Sequence, residues 1–240
     1  MNTILFDLDG TLLPMDQDEF VRLYMETLAR RFVPLGYEPA GFCRALTESI
    51  FDVIKNQSEN TNEEVFWETF ARRVDTDIRS KEPVFWDFYE KEHPGLRRVV
   101  KESQNSRQAV DLLKKKGYEV VLATNPVFPQ MATWQRIGWA GVKPEDFSYI
   151  TTFENSRRCK PSPEYFKELL DKLGKQPEDC MMVGNDVDDD MLSTDVLGMK
   201  NYLITDFLIN RNNQDLSRWE HGSFEDFLLY AKGLPEVTMK

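Results

Sequence analysis

Three apolar residues that end in two carboxylates constrain this chain more than any other stretch: Ile4-Leu5-Phe6-Asp7-Leu8-Asp9-Gly10-Thr11. Ile4 to Phe6 offer no polar residue to a solvated face, so they read as a strand covered on both sides, as in a parallel sheet. Open α/β sheets bind ligands at the carboxyl ends of such strands, which is where Asp7 and Asp9 fall. Strand alternation would put both carboxylates on one side, but a turn at Gly10 can re-aim the second, and glycine tolerates the positive φ such a turn needs. A plain tight turn at Asp9-Gly10 is the competing reading.

After Leu13-Pro14 the pattern turns helical for about eighty residues. Phe20, Leu23, Tyr24 and Leu28 share a helical face, as do Phe42, Leu46, Ile50, Val53 and Ile54. Thr61 with Glu64 forms a capping-box signal ahead of Val65, Phe66, Phe70 and Val74, and Val84, Phe85, Phe88 and Tyr89 make a fourth stripe. The rhythm then alternates. Ser106 caps a helix that Gly117 ends, Tyr118 to Asn125 reads as a buried strand, and Pro129 to Ile137 reads as a helix. Tyr149 to Phe153 is a short strand, and Ser162 or Pro163 starts a helix that runs to Gly174. Cys180 to Gly184 is a strand, followed by the acidic run Asp186 to Asp190 and a helix through Leu197; Asn201 to Thr205 is a strand and Ser223 to Lys232 a terminal helix.

Strands alternating with helices imply an α/β fold, a doubly wound, Rossmann-like parallel sheet. The expected organisation is a catalytic core of residues 1–14 and 96–240, with residues 15–95 as a helical cap inserted after the first strand. A length of 240 residues accommodates that arrangement.

Asp7 and Asp9, Thr124 and Asn125, Lys160, and Asp186 with Asp190 all fall at or just beyond strand ends. Each has an ordinary alternative: a loop start at Thr124-Asn125, a surface lysine at Lys160, acids opposing a helix dipole at Asp186 to Asp190. As an ordered set they converge on one sheet edge. Carboxylates brought to 4 Å repel by roughly 4 kcal/mol per pair at an effective dielectric near 20, so positive charge belongs among them. Oxygen donors without histidine suit a hard ion, and partial water coordination favours Mg²⁺. Lys160 adds a fixed cation.

The totals exclude other classes. A net charge of −11 disfavours nucleic acid and anionic membranes as partners. Cys43, Cys159 and Cys180 read as reduced thiols, and His93 and His221 as isolated surface or helix-end residues without metal-ligand spacing. No apolar run approaches a membrane span, so a cytoplasmic protein, monomeric or homodimeric, is expected.

The same residues carry a resemblance to the haloacid dehalogenase superfamily, and within it to the aspartate-dependent phosphatases. Asp7-Leu8-Asp9-Gly10-Thr11, Thr124, Lys160 in Lys-Pro-Ser-Pro, and the Gly184 to Asp190 segment match its four motifs in order. The helical insert resembles the cap of the subgroup that includes phosphoglycolate phosphatase and β-phosphoglucomutase. The resemblance implies that Asp7 is the nucleophile, forming an aspartyl phosphate, and that Asp9 is the general acid and then the base. It implies that Thr124, Asn125 and Lys160 hold the phosphoryl group of a small phosphorylated substrate. Mg²⁺ would then be bound by Asp7, the Asp9 carbonyl and Asp186, with Asp190 or Asp189 farther out. The fourth motif departs from the usual Gly-Asp opening, because Asn185 follows Gly184. A sugar-phosphate mutase or other phosphotransferase, and a non-catalytic binding protein that kept the fold, are the alternative functions.

Overall fold

The computed structural model describes residues 1–101 and 103–237. Among the described residues five strands form one parallel sheet: β1 Thr3–Phe6, β2 Glu119–Leu122, β3 Cys180–Gly184, β4 Lys200–Ile204 and β5 Glu220–Gly222, in the order β2-β1-β3-β4-β5. β1 lies between β2 and β3 and every one of its residues is buried, as its unbroken apolar run requires.

Alternation along the strands sends neighbouring side chains to opposite faces. Ile4, Phe6, Val120, Leu122, Met181 and Val183 join the core formed with α5 Asn105–Lys115 and α9 Phe224–Gly233. Leu5, Val121, Cys180 and Met182 join the other core, under Tyr165, Phe166, Leu169 and Leu170 of α7 Pro163–Leu173. Helices on both faces are the doubly wound architecture that the sequence implies.

Between β1 and β2 the chain forms α1 Gln17–Phe32, α2 Pro39–Ile54, α3 Asn62–Arg73 and α4 Glu82–Lys91. The apolar stripes meet in an aromatic core, where Phe42 and Phe85 pack against each other and each against Phe32 and Phe70, with ring centroids 4.5–6.4 Å apart. Thr61 and Glu64 form the expected capping box at the start of α3. The same helix start is bound to the rest of the chain: Asn62, fully buried, donates its side chain to Pro126 O at 3.1 Å, and Glu63 N donates to Phe153 O at 2.9 Å. After β2 come α6 Gln130–Trp139 and α7; after β3, a π-helical turn Val187–Leu192 leads into the short α8 Ser193–Asp195.

Several expectations need correction. Tyr149 to Phe153 is no strand; a single bridge joins Ile150 to Leu122, and Asn155 then holds the Thr152 amide at 2.9 Å in a turn that leads the chain away. Ser106 lies inside α5, where its hydroxyl donates to Leu12 O instead of capping. The helix expected through Leu197 is the π-turn with α8, closed at Gly198 with φ +69°. His93 is completely buried, bonded through Nδ1 to Gln135 at 2.6 Å and stacked on Trp139. β5 went unforeseen because Glu220-His221-Gly222 is a polar edge strand paired on one side only. Among the described residues no helix is long and apolar enough to cross a membrane, and Cys43, Cys159 and Cys180 are free.

Candidate active site

β1 and β3 deliver the first two groups to the point where strand order reverses. Asp7 is the first residue past β1, and its N–H donates to Val183 O of β3 at 2.9 Å, which fixes it in the crevice between the two strands. The chain then turns back on itself, with Leu13 N on Leu8 O at 2.8 Å. Gly10 has φ +87°, and a Cβ there would also run into the Asn185 amide.

Thr124 follows β2 by two residues, and its carbonyl is held by Thr151 Oγ1 at 2.7 Å and by the Tyr165 hydroxyl at 3.0 Å. Lys160 precedes α7, whose start is capped by Ser162. The acidic run lies on the π-helical turn after β3. One cavity is lined by Asp7, Asp9, Thr124, Asn125, Lys160, Asp186, Asp189 and Asp190 together, so the eight predicted site residues share one place.

Lys160 is the centre of the arrangement. Its side chain is 1% exposed, and Nζ donates to Asp7 Oδ1 at 2.9 Å and to Asp190 Oδ1 at 2.6 Å. Burial acts to lower the lysine's pKa, but Asp190 and Asp7 outweigh it and hold the group well above its ordinary value, as a cation. The acids are correspondingly strained. Burial raises Asp7, and Lys160 only partly offsets it. Burial takes Asp190 up to about 6 against the pull of Lys160, and takes Asp189 up to about 7, with Asp186 and Asp190 adding to the effect. Asp186 is raised by burial and by Asp190.

The fourth-motif candidates have different partners. Asn185 is committed inward: its Oδ1 accepts from Thr11 Oγ1 at 3.1 Å and its Nδ2 donates to Phe207 O at 2.6 Å. Asp186 caps the turn, accepting from Asp188 N at 2.9 Å and Asp189 N at 3.1 Å through Oδ1, and turns Oδ2 to Arg211 at 2.7 Å. Asn125 donates to Lys160 O at 3.4 Å and to Asp189 Oδ2 at 3.3 Å, so its amide ties two loops together, and its Oδ1 is buried without a hydrogen bond.

Three contributors escaped the sequence reading. Gln17 Nε2 donates to the Asp9 carbonyl at 2.5 Å. Arg211 comes from a loop with no readable pattern. Arg136, fully buried, pairs with the Asp9 carboxylate. Its signal was available: Arg136 shares a face of α6 with buried Ala132, Thr133 and Ile137, an unusual place for a guanidinium. Arg22, Arg44 and Arg72 are exposed, as a solvated helix surface implies.

Five carboxylates, of Asp7, Asp9, Asp186, Asp189 and Asp190, thus face three cations, Lys160, Arg136 and Arg211. The surplus of acids over cations and the oxygen-only donors fit a divalent hard cation. Among the described residues no three acidic, histidine or cysteine side chains form a complete ion cage. The expected set asks for less: two side chains, Asp7 and Asp186, with one backbone carbonyl.

The model of the haloacid dehalogenase-like hydrolases matches residues 1–193. Pyrophosphatase PpaX of Bacillus cereus (strain AH820) is 26% identical over 185 residues, covering 77% of this chain and 74% of that protein. Two solved structures show the same fold: a predicted phosphoglycolate phosphatase from Haemophilus somnus 129PT (TM-score 0.59, 18% identity, 96% of this chain and 97% of that one), and the HAD-hydrolase YfnB from Bacillus subtilis, bound to magnesium (TM-score 0.58, 15% identity, 96% and 98%). With its strand order, its convergent site and a family match over most of its length, the chain belongs to the haloacid dehalogenase-like hydrolase family.

Proposed function

We propose that this hydrolase is a Mg²⁺-dependent phosphatase that releases phosphate from a small phosphorylated metabolite through an aspartyl phosphate on Asp7. The observation that carries the reading is the buried Lys160 between Asp7 and Asp190, a fixed cation beside a carboxylate at the β1/β3 crevice. Phosphoryl transfer depends on positioning and on charge stabilisation at the equatorial oxygens, which such a site supplies.

Asp7 attacks phosphorus. Lys160 orients that carboxylate and neutralises charge that builds on the phosphoryl oxygens. The Thr124 hydroxyl holds one of those oxygens, and Asn125 offers its amide to another in exchange for Asp189. Asp9 gives a proton to the leaving oxygen and takes one from the water that hydrolyses the phosphoenzyme. The Asp7 and Asp186 carboxylates with the Asp9 carbonyl would hold Mg²⁺, which supplies charge neutralisation for nucleophile and phosphate. Residues 15–95 act as the cap, excluding bulk water and choosing the leaving group.

The test is phosphate release from 4-nitrophenyl phosphate and a panel of phosphorylated metabolites, with and without Mg²⁺. Inorganic pyrophosphate joins the panel because a relative is named a pyrophosphatase. Release that requires Mg²⁺ and stops on chelation supports the reading; no release from any compound contradicts it.

A further inference from the structure

We propose that Arg136 is the positioning residue for Asp9, holding its carboxylate where the leaving oxygen departs. The proposal rests on the reading of Asp9 as the proton donor. Arg136 lies 127 residues along the chain from Asp9 and has no measurable exposure, yet Nη1 is paired with Asp9 Oδ2. Its guanidinium lies over the Phe128 ring at 4.3 Å, and Nη2 donates to Thr133 Oγ1 at 3.4 Å. Such burial is costly, and the pair leaves Arg136 Nε and Asp9 Oδ1 without hydrogen bonds. An arginine that served only packing would be replaced at less cost by an apolar residue of similar volume.

The platform beneath the guanidinium is fixed. The neighbouring Gln135 donates to Tyr89 O at 2.7 Å and bonds His93 Nδ1 at 2.6 Å. Trp139, on the same helix, stacks on His93 with ring centroids 5.1 Å apart. α6 is thereby held to the helices between β1 and β2 while it points Arg136 at Asp9. Asp9's backbone carbonyl accepts from Gln17 Nε2.

In the step concerned, an Asp7 oxygen forms a bond to phosphorus as the bond from phosphorus to the leaving oxygen breaks. The bonding electron pair goes to that oxygen, and the Asp9 carboxyl proton moves onto it. Asp9 is left as a carboxylate facing Arg136. Misplacing Asp9 therefore harms substrates in proportion to their need for that proton. Nitrophenolate leaves unaided, whereas phenolate needs more help.

The experiment compares kcat/KM for 4-nitrophenyl phosphate and phenyl phosphate in the Mg²⁺-loaded wild type, Arg136→Met, Asp9→Asn and the double variant, with thermal unfolding to confirm the fold. Methionine fills much of the arginine's space; Arg136→Leu is the second choice if it does not fold. Since positioned acids contribute about 10²–10⁴-fold, Arg136→Met is expected to lose about 100-fold on phenyl phosphate and about threefold or less on 4-nitrophenyl phosphate. Asp9→Asn should show the same imbalance, and adding Arg136→Met to it should change little. An equal loss on both substrates in a folded Arg136→Met, beside an imbalanced Asp9→Asn, overturns the assignment of Arg136 alone. An Asp9→Asn variant without imbalance overturns the proton-donor reading and the proposal with it.

Discussion

The Asp190 carboxyl occupies the space where a side chain at Gly184 would have to begin. A Cβ at Gly184 would run into Oδ2, Cγ and Cβ of Asp190. The last residue of β3 is therefore a glycine because the acid that holds Lys160 folds back across it.

Gly184→Ala is expected to push Asp190 away from Lys160 and so to misplace Asp7's partner. Overpacking of this kind costs roughly 1–3 kcal/mol, and turnover should fall by about 100-fold or more because the lysine loses one of its two anchors. Denaturant unfolding and steady-state kinetics measure the two effects separately.

Removing the cation is more severe. Lys160→Met leaves Asp7 and Asp190 buried without their counter-ion, and breaking a buried pair costs about 3–5 kcal/mol. The expected signature is loss of phosphatase activity with a marked drop in stability, part of the stability returning in Lys160→Met/Asp190→Asn. Chemical denaturation of the single and double variants checks it.

The proposed ion site uses Asp186 rather than Asn185. Asp186→Asn is expected to raise the Mg²⁺ concentration needed for half-maximal activity by about tenfold or more, at least the cost of losing a ligand's supporting hydrogen-bond partner. Asn185→Asp should not compensate, because that side chain accepts from Thr11 and donates to Phe207 O. A carboxylate there would face the carbonyl with no proton to give. Mg²⁺ titration of activity in both variants supplies the measurement.

His93 gives the fold a pH dependence of its own. Burial pushes its pKa down from 6.5 to about 4, with Gln135 opposing and Arg136 adding, so it is neutral in the folded chain. Between those values the unfolded chain binds the extra proton, so stability falls as pH drops through that window, by about 3 kcal/mol in full. Asp189 and Asp190, raised to about 7 and about 6, have the opposite sign: in the unfolded chain they release protons first, so their contribution falls as pH rises. His93→Phe isolates the histidine. The stability difference between wild type and variant, measured by urea unfolding from pH 7 to pH 4.5, should move steadily against the wild type as pH drops.

Much of the site was legible because its members are local punctuation: an apolar run that stops at Asp7, a strand that stops before Thr124, a lysine ahead of the helix capped at Ser162. Each of those signals lies within a few residues of the group it announces. His93 was misread because its own neighbours say nothing of Gln135 and Trp139, which reach it only in the folded chain. β5 carries no apolar alternation, since its edge position needs none. Arg136 meets Asp9 across 127 residues of chain, and a pairing of that span leaves no local pattern beyond an arginine on an apolar helix face. The acidic run shows the limit of spacing alone: it places Asp186 and Asp190 four residues apart, but only the fold gives Asp190 to Lys160 and Asp186 to Arg211 in the cavity that both line.

On the proposed mechanism Asp7 carries the phosphoryl group during turnover. Rapid acid quench during steady-state turnover, followed by borohydride reduction and peptide mass spectrometry, reads the modified residue directly. Conversion confined to position 7, absent from Asp7→Asn along with phosphate release, is the expected result. Wild-type turnover by Asp7→Asn, or modification at another carboxylate, would rule out Asp7 as the nucleophile.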